Sequence, residues 1–254
     1  MLQTDSKARF TTRVESYRKF RPGYPAAVVD LLVRECGLSA DDTVADVAAG
    51  TGILTELFLA AGYPVLAVEP NAAMREACAA LEAVYPKLRC IEGSAEDTGL
   101  AEDSVALITV AQAMHWFDLE RTRREFVRIL KRGGCCAVLY NHRRMEGDAF
   151  HDGYEQILRE FGSDYTAVQG KHLGPEKIAE FFAPSPTKTA SFANHQDFTL
   201  EGLMGRVLSS SYMPQLGDER YPAMEAVVGD LFVQHQRDGH VRMEYETVVC
   251  WGRL

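Results

Sequence analysis

No stretch of this 254-residue sequence reaches the ~18 consecutive apolar residues that a membrane-spanning helix needs, so no membrane partner is expected. Nor is there a basic tail. The densest basic group is Arg121, Arg123, Arg124 and Arg128, whose helical spacing predicts a solvated face, and the formal net charge is −9. A nucleic-acid partner is not expected from that balance. None of the six cysteines (Cys36, Cys78, Cys90, Cys135, Cys136, Cys250) forms a C-x-x-C pair. Several lie inside apolar stretches, which reads as buried, reduced thiols of a cytoplasmic protein and argues against a disulfide frame. No His/Cys/Asp cluster has ligand spacing, so no metal is expected. The opening residues MLQTDSKARF lack the apolar core of a secretory leader. Repeats, low-complexity tracts and Gly/Ser linkers are missing too. Residues 1–254 therefore read as one domain, with no signal of oligomeric state.

What is present is a rhythm. Short apolar runs alternate with amphipathic stretches: TVADVAA (43–49), PVLAVE, LRCIEG, SVALITVAQA and CCAVLYN read as strands, separated by segments with helical apolar spacing. Asn71 is placed to cap the helix that follows it, and Gly37 and Gly62 to end the helices that precede them. Strands that are apolar throughout belong to a parallel sheet covered by helices on both faces, and right-handed crossovers make it doubly wound. After Asn141 the rhythm changes. Residues 142–186 read as an inserted helical lid or substrate wall, TKTASFANHQDFT and HVRMEYETVVCWGRL as late alternating strands, and the stretches between them as helices.

The stretch DVAAGTGILTELFLAAGYPVLAVEP (46–70) carries the chemistry. It lacks the G-x-x-x-x-G-K-[ST] of a nucleotide triphosphate loop. It also lacks the third glycine of a dinucleotide fingerprint, because Thr55 stands there. Gly50 and Gly52 allow a close backbone approach. Glu69 ends the second strand, where an acid accepts hydrogen bonds from ribose hydroxyls. Asp46 ends the first strand and suits an ammonium group or a bound water. A ligand with a ribose, a cationic amino-acid tail and no phosphate satisfies both acids, and S-adenosylmethionine is such a ligand.

D-V-A-A-G-T-G resembles the D-x-G-x-G-x-G signature of class I S-adenosylmethionine-dependent methyltransferases, with Ala48 in place of the first glycine. GSAED (93–97), VAQAMHWFD (110–118) and LKRGG (130–134) resemble the segments after the third and fourth strands and before the fifth, with Arg132 where proline is usual. YRKFRPGYP and QAMHWFD are similar to small-molecule members of the trans-aconitate methyltransferase-like, or type 11, group. The resemblance implies a seven-stranded sheet with the last strand antiparallel. It implies that residues 1–24 cover the cofactor, with Tyr17, Arg21 and Tyr24 in that segment and Arg21 pairing the methionine carboxylate. It places Asp46, Ala48, Gly50, Gly52, Glu69, Pro70, Met74, Ser94, Ala95, Glu96, Ala111 and Gln112 against the cofactor, with Leu100 as an alternative to Met74 beside the adenine. His115 and Gln112 are the catalytic candidates. Tyr24, His115, Trp116, Tyr140, Asn141 and Tyr212 are the substrate candidates, with Met204 and Arg206 as possible additions to the wall. The expected activity is methyl transfer to a small-molecule carboxylate or hydroxyl oxygen. An NAD-dependent oxidoreductase and a non-catalytic cofactor-binding regulator are the alternatives.

Overall fold

A computed structural model describes residues 14–165 and 173–254, except for the side chains of residues 15–17. In chain order the elements are α1 (Val14–Phe20), α2 (Ala27–Cys36), β1 (Val44–Val47), α3 (Ile53–Ala60), β2 (Val65–Val68), α4 (Ala72–Ala79), β3 (Leu88–Ile91), β4 (Val105–Ala111), α5 (Leu119–Ile129), β5 (Leu130–Arg143), α6 (Ala149–Phe161), α7 (Pro175–Phe182), β6 (Lys188–Phe198), α8 (Leu200–Leu208), α9 (Tyr221–His235) and β7 (Val241–Gly252). They build one seven-stranded sheet in the order β3-β2-β1-β4-β5-β7-β6. β1 to β5 pair in parallel, and β7 runs antiparallel between β5 and β6. The expected doubly wound sheet with an antiparallel last strand is the observed one.

Alternation along the strands sends side chains into two cores. Val44 joins Leu32, Phe58 and Leu88 under α2 and α3. Ala45 and Val47 face the opposite side with Phe126, Ile129 and Phe182. Local signals fix the helix ends. Asn71 accepts a hydrogen bond from the Met74 amide, the cap its position predicts, and Gly37 closes α2 in the left-handed region at φ 67°.

Residues 142–186 divide between two places. α6 packs with α8 and α9 in a third cluster over the ends of β6 and β7, around Tyr154, Leu203 and Met243. α7 stacks on α5, with Phe181 edge-on to Phe126 at 6.1 Å. The basic group on α5 is correspondingly less solvated than its spacing predicts. Arg123 donates to the carbonyls of Phe181 and Ala183 at the end of α7 (3.1 and 3.0 Å), and Arg128 forks onto Glu125. β5 also starts five residues earlier than CCAVLYN suggests. LKRGG forms an irregularity in which pairing steps from Val105–Leu130 to Leu107–Cys135, and Gly133 takes φ 82°.

The N-terminal segment docks on α8 through a glycine. A Cβ at Gly205 would lie 2.2 Å from the Phe20 ring. Gly205→Ala should therefore lift α1 off α8, lowering stability by about 1–3 kcal/mol and exposing residues 14–24 to limited proteolysis. Unchanged cleavage and an unchanged unfolding midpoint would refute this.

Candidate functional site

The carboxyl ends of β1, β2 and β4 open onto a cavity of about 210 Å³, the crevice in which open α/β sheets bind ligands. Its lining includes Ala48, Gly50, Glu69, Pro70, Met74, Ser94, Ala95, Glu96, Ala111 and Gln112, together with Asn71, Ala113, Trp116 and Phe117. A smaller adjoining space of about 40 Å³ shares Ala48, Gly50, Ala111 and Gln112 and adds Tyr24 and Asp46. Most of the sequence-derived cofactor residues thus meet in one place. Among the described residues no lysine or arginine lines either space, and the ionisable side chains there are Asp46, Glu69, Glu96 and the Tyr24 phenol. A larger groove of about 730 Å³ lies around His151 and β7, away from these strand ends. Its charged groups largely satisfy one another: Arg242 forks onto Asp197 at 2.7 and 2.8 Å, and His151 sits between Asp148 and the Glu244 amide.

Glu69 is fixed before any ligand arrives. Its Oε2 accepts from the Gly50 amide at 2.9 Å and its Oε1 from the Asn71 amide at 2.8 Å. Asp46 is buried, with its two oxygens taking the hydroxyls of Thr55 (2.6 Å) and Thr109 (2.9 Å). Burial pushes its carboxyl up to about 6, against the opposing pull of those hydrogen bonds. Thr55, which stands where a dinucleotide fingerprint has its last glycine, holds the Asp46 carboxylate.

The two glycines play different parts. Gly50 lies at φ 58°, and a Cβ there would meet nothing within 4 Å. Its face is open to the cavity. Gly52 turns its face to Cys78 and Leu81, where a Cβ would fall within 2.8 and 2.9 Å. Its smallness serves the packing of the α3 start against α4, not the cavity surface. Ala48 lies at φ 57° and Gln112 at φ 59°, two non-glycine residues in the left-handed region on opposite sides of the crevice.

The remaining candidates separate as follows. Ser94 and Asp97 exchange backbone hydrogen bonds in a tight turn that presents Ala95, and Glu96 accepts from the Asp118 amide at 3.0 Å. Met74 lines the cavity, whereas Leu100 is core. His115 is half-buried in the turn Met114–Trp116, its ring 4.8 Å from the Trp116 ring, and lies outside the cavity lining. Gln112 donates to the Asn141 carbonyl at 3.3 Å. Arg21 donates to the Ser209 carbonyl at 3.1 Å, which ties the N-terminal segment to the end of α8. Tyr212 packs on Tyr165 at 5.2 Å, and Met204 lines a groove beside Phe20. The Tyr17 side chain lies outside the described residues. Tyr140 and Asn141 do not share a crevice edge as the end of a strand would have them do. β5 continues to Arg143, and its alternation buries Tyr140 among Phe126, Ile178 and Phe182 on the opposite face.

Asn141 is the hub that sequence reading missed in part. It donates to the Gly23 carbonyl (3.0 Å) and accepts from Thr247 (2.5 Å) and Asn194 (3.3 Å), while Asn194 also donates to Gly23 (2.9 Å). Asn194 and Thr247 could have been flagged as polar residues recurring on one face of β6 and β7. Only the strand register brings them to Asn141.

A family described as "Methyltransferase domain" matches residues 45–138. An uncharacterized methyltransferase of Schizosaccharomyces pombe is 31% identical over 227 residues, which cover 87% of this chain and 86% of that protein. This chain belongs to the class I S-adenosylmethionine-dependent methyltransferase family. An uncharacterized methyltransferase of Mycobacterium tuberculosis is 35% identical over 139 residues, 55% of this chain and 54% of that protein, so the match spans about half the length of that relative. A structure of a type II methyltransferase from Anaeromyxobacter dehalogenans, 23% identical, superposes with a TM-score of 0.69 over 92% of this chain and 98% of its own, which shows the shared fold. Membership removes the oxidoreductase alternative. Ala48 and Arg132 are departures within the family pattern.

Two outcomes follow for the methyltransferase without ligand. Ala48→Gly should relieve the left-handed strain and gain about 0.5–1 kcal/mol. Chemical denaturation showing no gain would refute it. Asp46 has a folded pKa of about 6 against 3.8 for an ordinary Asp. Its contribution is therefore full below about pH 4 and lost as pH rises through 6, on the order of 3 kcal/mol. Asp46→Asn should flatten that part of the stability–pH curve, and parallel curves for the two proteins between pH 4 and 7 would refute it.

Proposed function

We propose that the chain transfers a methyl group from S-adenosylmethionine to a small-molecule acceptor, at a carboxylate or hydroxyl oxygen. The observation that carries this reading is the crevice, lined by no lysine or arginine among the described residues, in which Glu69 is pinned by the Gly50 and Asn71 amides at the end of β2. The residues present fit that cofactor. Gly50 offers an open face, the Glu69 carboxylate lines the cavity at the end of β2 as an acceptor for hydroxyls, and Met74, Ala95 and Phe117 supply an apolar wall for a base. The Asp46 end of the smaller space suits an ammonium group, which would draw its buried carboxyl back to the ionised form. When bound, the cofactor supplies a methyl group already activated by the positive sulfonium.

The protein's task is then to hold an acceptor oxygen in line and to exclude water. Gln112 spans both spaces and is held by Asn141, so it is the positioning group for the acceptor. Trp116 and Phe117 present aromatic surface at the rim, which attracts positive charge. His115 lies beside Trp116, its ring 4.8 Å from the indole, and is the group to take a proton where the acceptor is a hydroxyl; a carboxylate acceptor needs no base. The described part of the N-terminal segment, residues 14–24, closes over the cofactor, with Tyr24 already against the smaller space; residues 1–13 of the expected covering segment lie outside the described residues. The wall on the acceptor side is made by Asn141, by Tyr212 and by α6 with the α8–α9 region, whereas α7 packs on α5 instead.

Incubation with methyl-labelled cofactor and fractionated cell extract, read by mass spectrometry, tests the activity. Recovery of no labelled product from any fraction would sink it. Glu69→Ala should weaken cofactor binding by roughly 1–3 kcal/mol in calorimetry, the scale of hydrogen bonds to a charged group; equal affinity would remove Glu69 from the ribose role. His115→Ala should lower turnover more than cofactor affinity, and an unchanged rate would return His115 to a structural part.

A further inference from the structure

The six cysteines are free thiols, but they are not scattered. Two pairs touch. Cys78 on α4 meets Cys90 on β3, and Cys36 at the end of α2 meets Cys135 on β5. Spacing along the chain hides both pairs, because the partners belong to different elements. The second pair is assembled from three sides. Strand alternation turns Cys135 toward the core under α2 and α3, where Cys36 packs, and turns Cys136 to the opposite core. Glu35, the neighbour of Cys36, takes the Lys188 ammonium at 2.8 Å and so holds the end of α2 over the start of β6. On β7, Gly252 pairs with Cys136, which sets Arg253 across from Cys135, and its guanidinium reaches the Cys135 sulfur. Cys135 is buried, whereas Cys36 is only half-buried.

The two pairs differ in their surroundings. Around Cys78 and Cys90 burial dominates, and both thiols are held above their usual range. In the other pair the Cys36 thiol donates to the Cys135 sulfur, and Arg253 and Lys188 add positive charge. The Cys135 thiol is therefore held below its usual range, while hydrogen bonding to Cys135 and burial hold Cys36 above it. A thiol reacts as its thiolate, and cations beside it favour that form. A sulfur of thiolate character with a second thiol in contact is the arrangement of an attacking and a resolving cysteine.

We propose that Cys36 and Cys135 form a reversible oxidation site, closed to a disulfide by hydrogen peroxide. The Cys135 thiolate attacks one peroxide oxygen. The S–O bond forms, the O–O bond breaks, and the departing hydroxide takes a proton from solvent. The Cys36 thiol then gives up its proton and attacks the Cys135 sulfur. The S–S bond forms, the S–O bond breaks, and the second hydroxide leaves as water. Two thiols have lost two electrons, and the peroxide has become two waters. The bridge lies toward the amino ends of the parallel strands, away from the crevice at their carboxyl ends. It ties the helix that follows Tyr24 to β5.

The test treats the full chain, reduced and freed of reductant, with a small molar excess of hydrogen peroxide, and reads intact mass and non-reduced peptide maps over time. The expected product is lighter by two hydrogens, carries Cys36 linked to Cys135, and returns to its starting mass with dithiothreitol. Bridging of this pair should outpace bridging of Cys78 with Cys90 by about tenfold or more. Arg253→Gln, at an exposed position, should slow it several-fold. Cys36→Ser should stop at the Cys135 sulfenic acid, captured by dimedone. Should that variant fail to fold, dimedone added to the wild type during oxidation should mark Cys135 and not Cys36. The proposal is overturned if the wild type keeps all its thiols alkylatable or if another pair bridges first. It is equally overturned if dithiothreitol does not reverse the change, if dimedone marks Cys36 instead, or if Arg253→Gln bridges at the wild-type rate.

Discussion

Two parallel strands end side by side at Asp46–Val47 and Val68–Glu69, and their loops would be independent but for one carboxylate. Glu69 takes the amide of Gly50 from the first loop and the amide of Asn71 from the second. Buried backbone donors at these turns need acceptors, and here one side chain serves two of them. The crevice owes its shape to that bridge. Gly50 is turned outward with no atom facing it, Asn71 is oriented to cap α4 through the Met74 amide, and the lip between β1 and β2 is set at the separation the carboxylate spans. A group that organises the site in this way is also pre-oriented toward whatever enters it, so little is lost in ordering when a ligand binds.

The charges elsewhere follow the same division of labour. Asp46 is masked by two threonine hydroxyls, and burial raises its pKa. The first strand therefore contributes a site of latent charge that a cation would restore. Backbone strain sits beside it: Ala48 and Gln112 occupy the left-handed region on either side of the crevice. Such conformations persist only where the surroundings hold them. Ladder bonds do so here, from the Ala49 amide to Val68 and from the Gln112 amide to Leu139. Stability has been conceded at the strand ends, where a ligand can repay it, and not in the strand interiors, which are buried and apolar apart from the bonded Asp46–Thr109 pair.

How much of this could be read from the sequence depends on how local the cause is. The β1–loop–α3–β2 unit was legible because an apolar strand, an acid at its end and glycines in the turn are neighbours in the chain. Asn71 as a cap was legible for the same reason. The parity of β5 was not. Placing its end at Asn141 put Tyr140 at the crevice, whereas two further residues of strand bury that phenol on the other face. Gly52 was read only in part, because the tertiary approach of Cys78 and Leu81 adds a packing reason for its missing side chain that the sequence does not show. The Asn141–Thr247–Asn194 hub joins residues more than 50 positions apart, and no spacing rule foretells it.

That hub explains why the late strands belong to the site at all. β7 enters antiparallel between β5 and β6, so its residues pass the carboxyl ends of the parallel strands in reverse order. Thr247 therefore meets Asn141, and Tyr245 stands beyond it at the level of Arg143. A seventh strand running parallel would need a crossover connection to return it to the far end. The antiparallel insertion instead brings α8 beside the N-terminal segment, with Gly205 admitting Phe20 and the Gly23 carbonyl taking the amides of Asn141 and Asn194. The cofactor half of the molecule is thus built from local signals early in the chain. The half proposed to choose an acceptor is built from register, which is why its chemistry emerges only once the strands are paired.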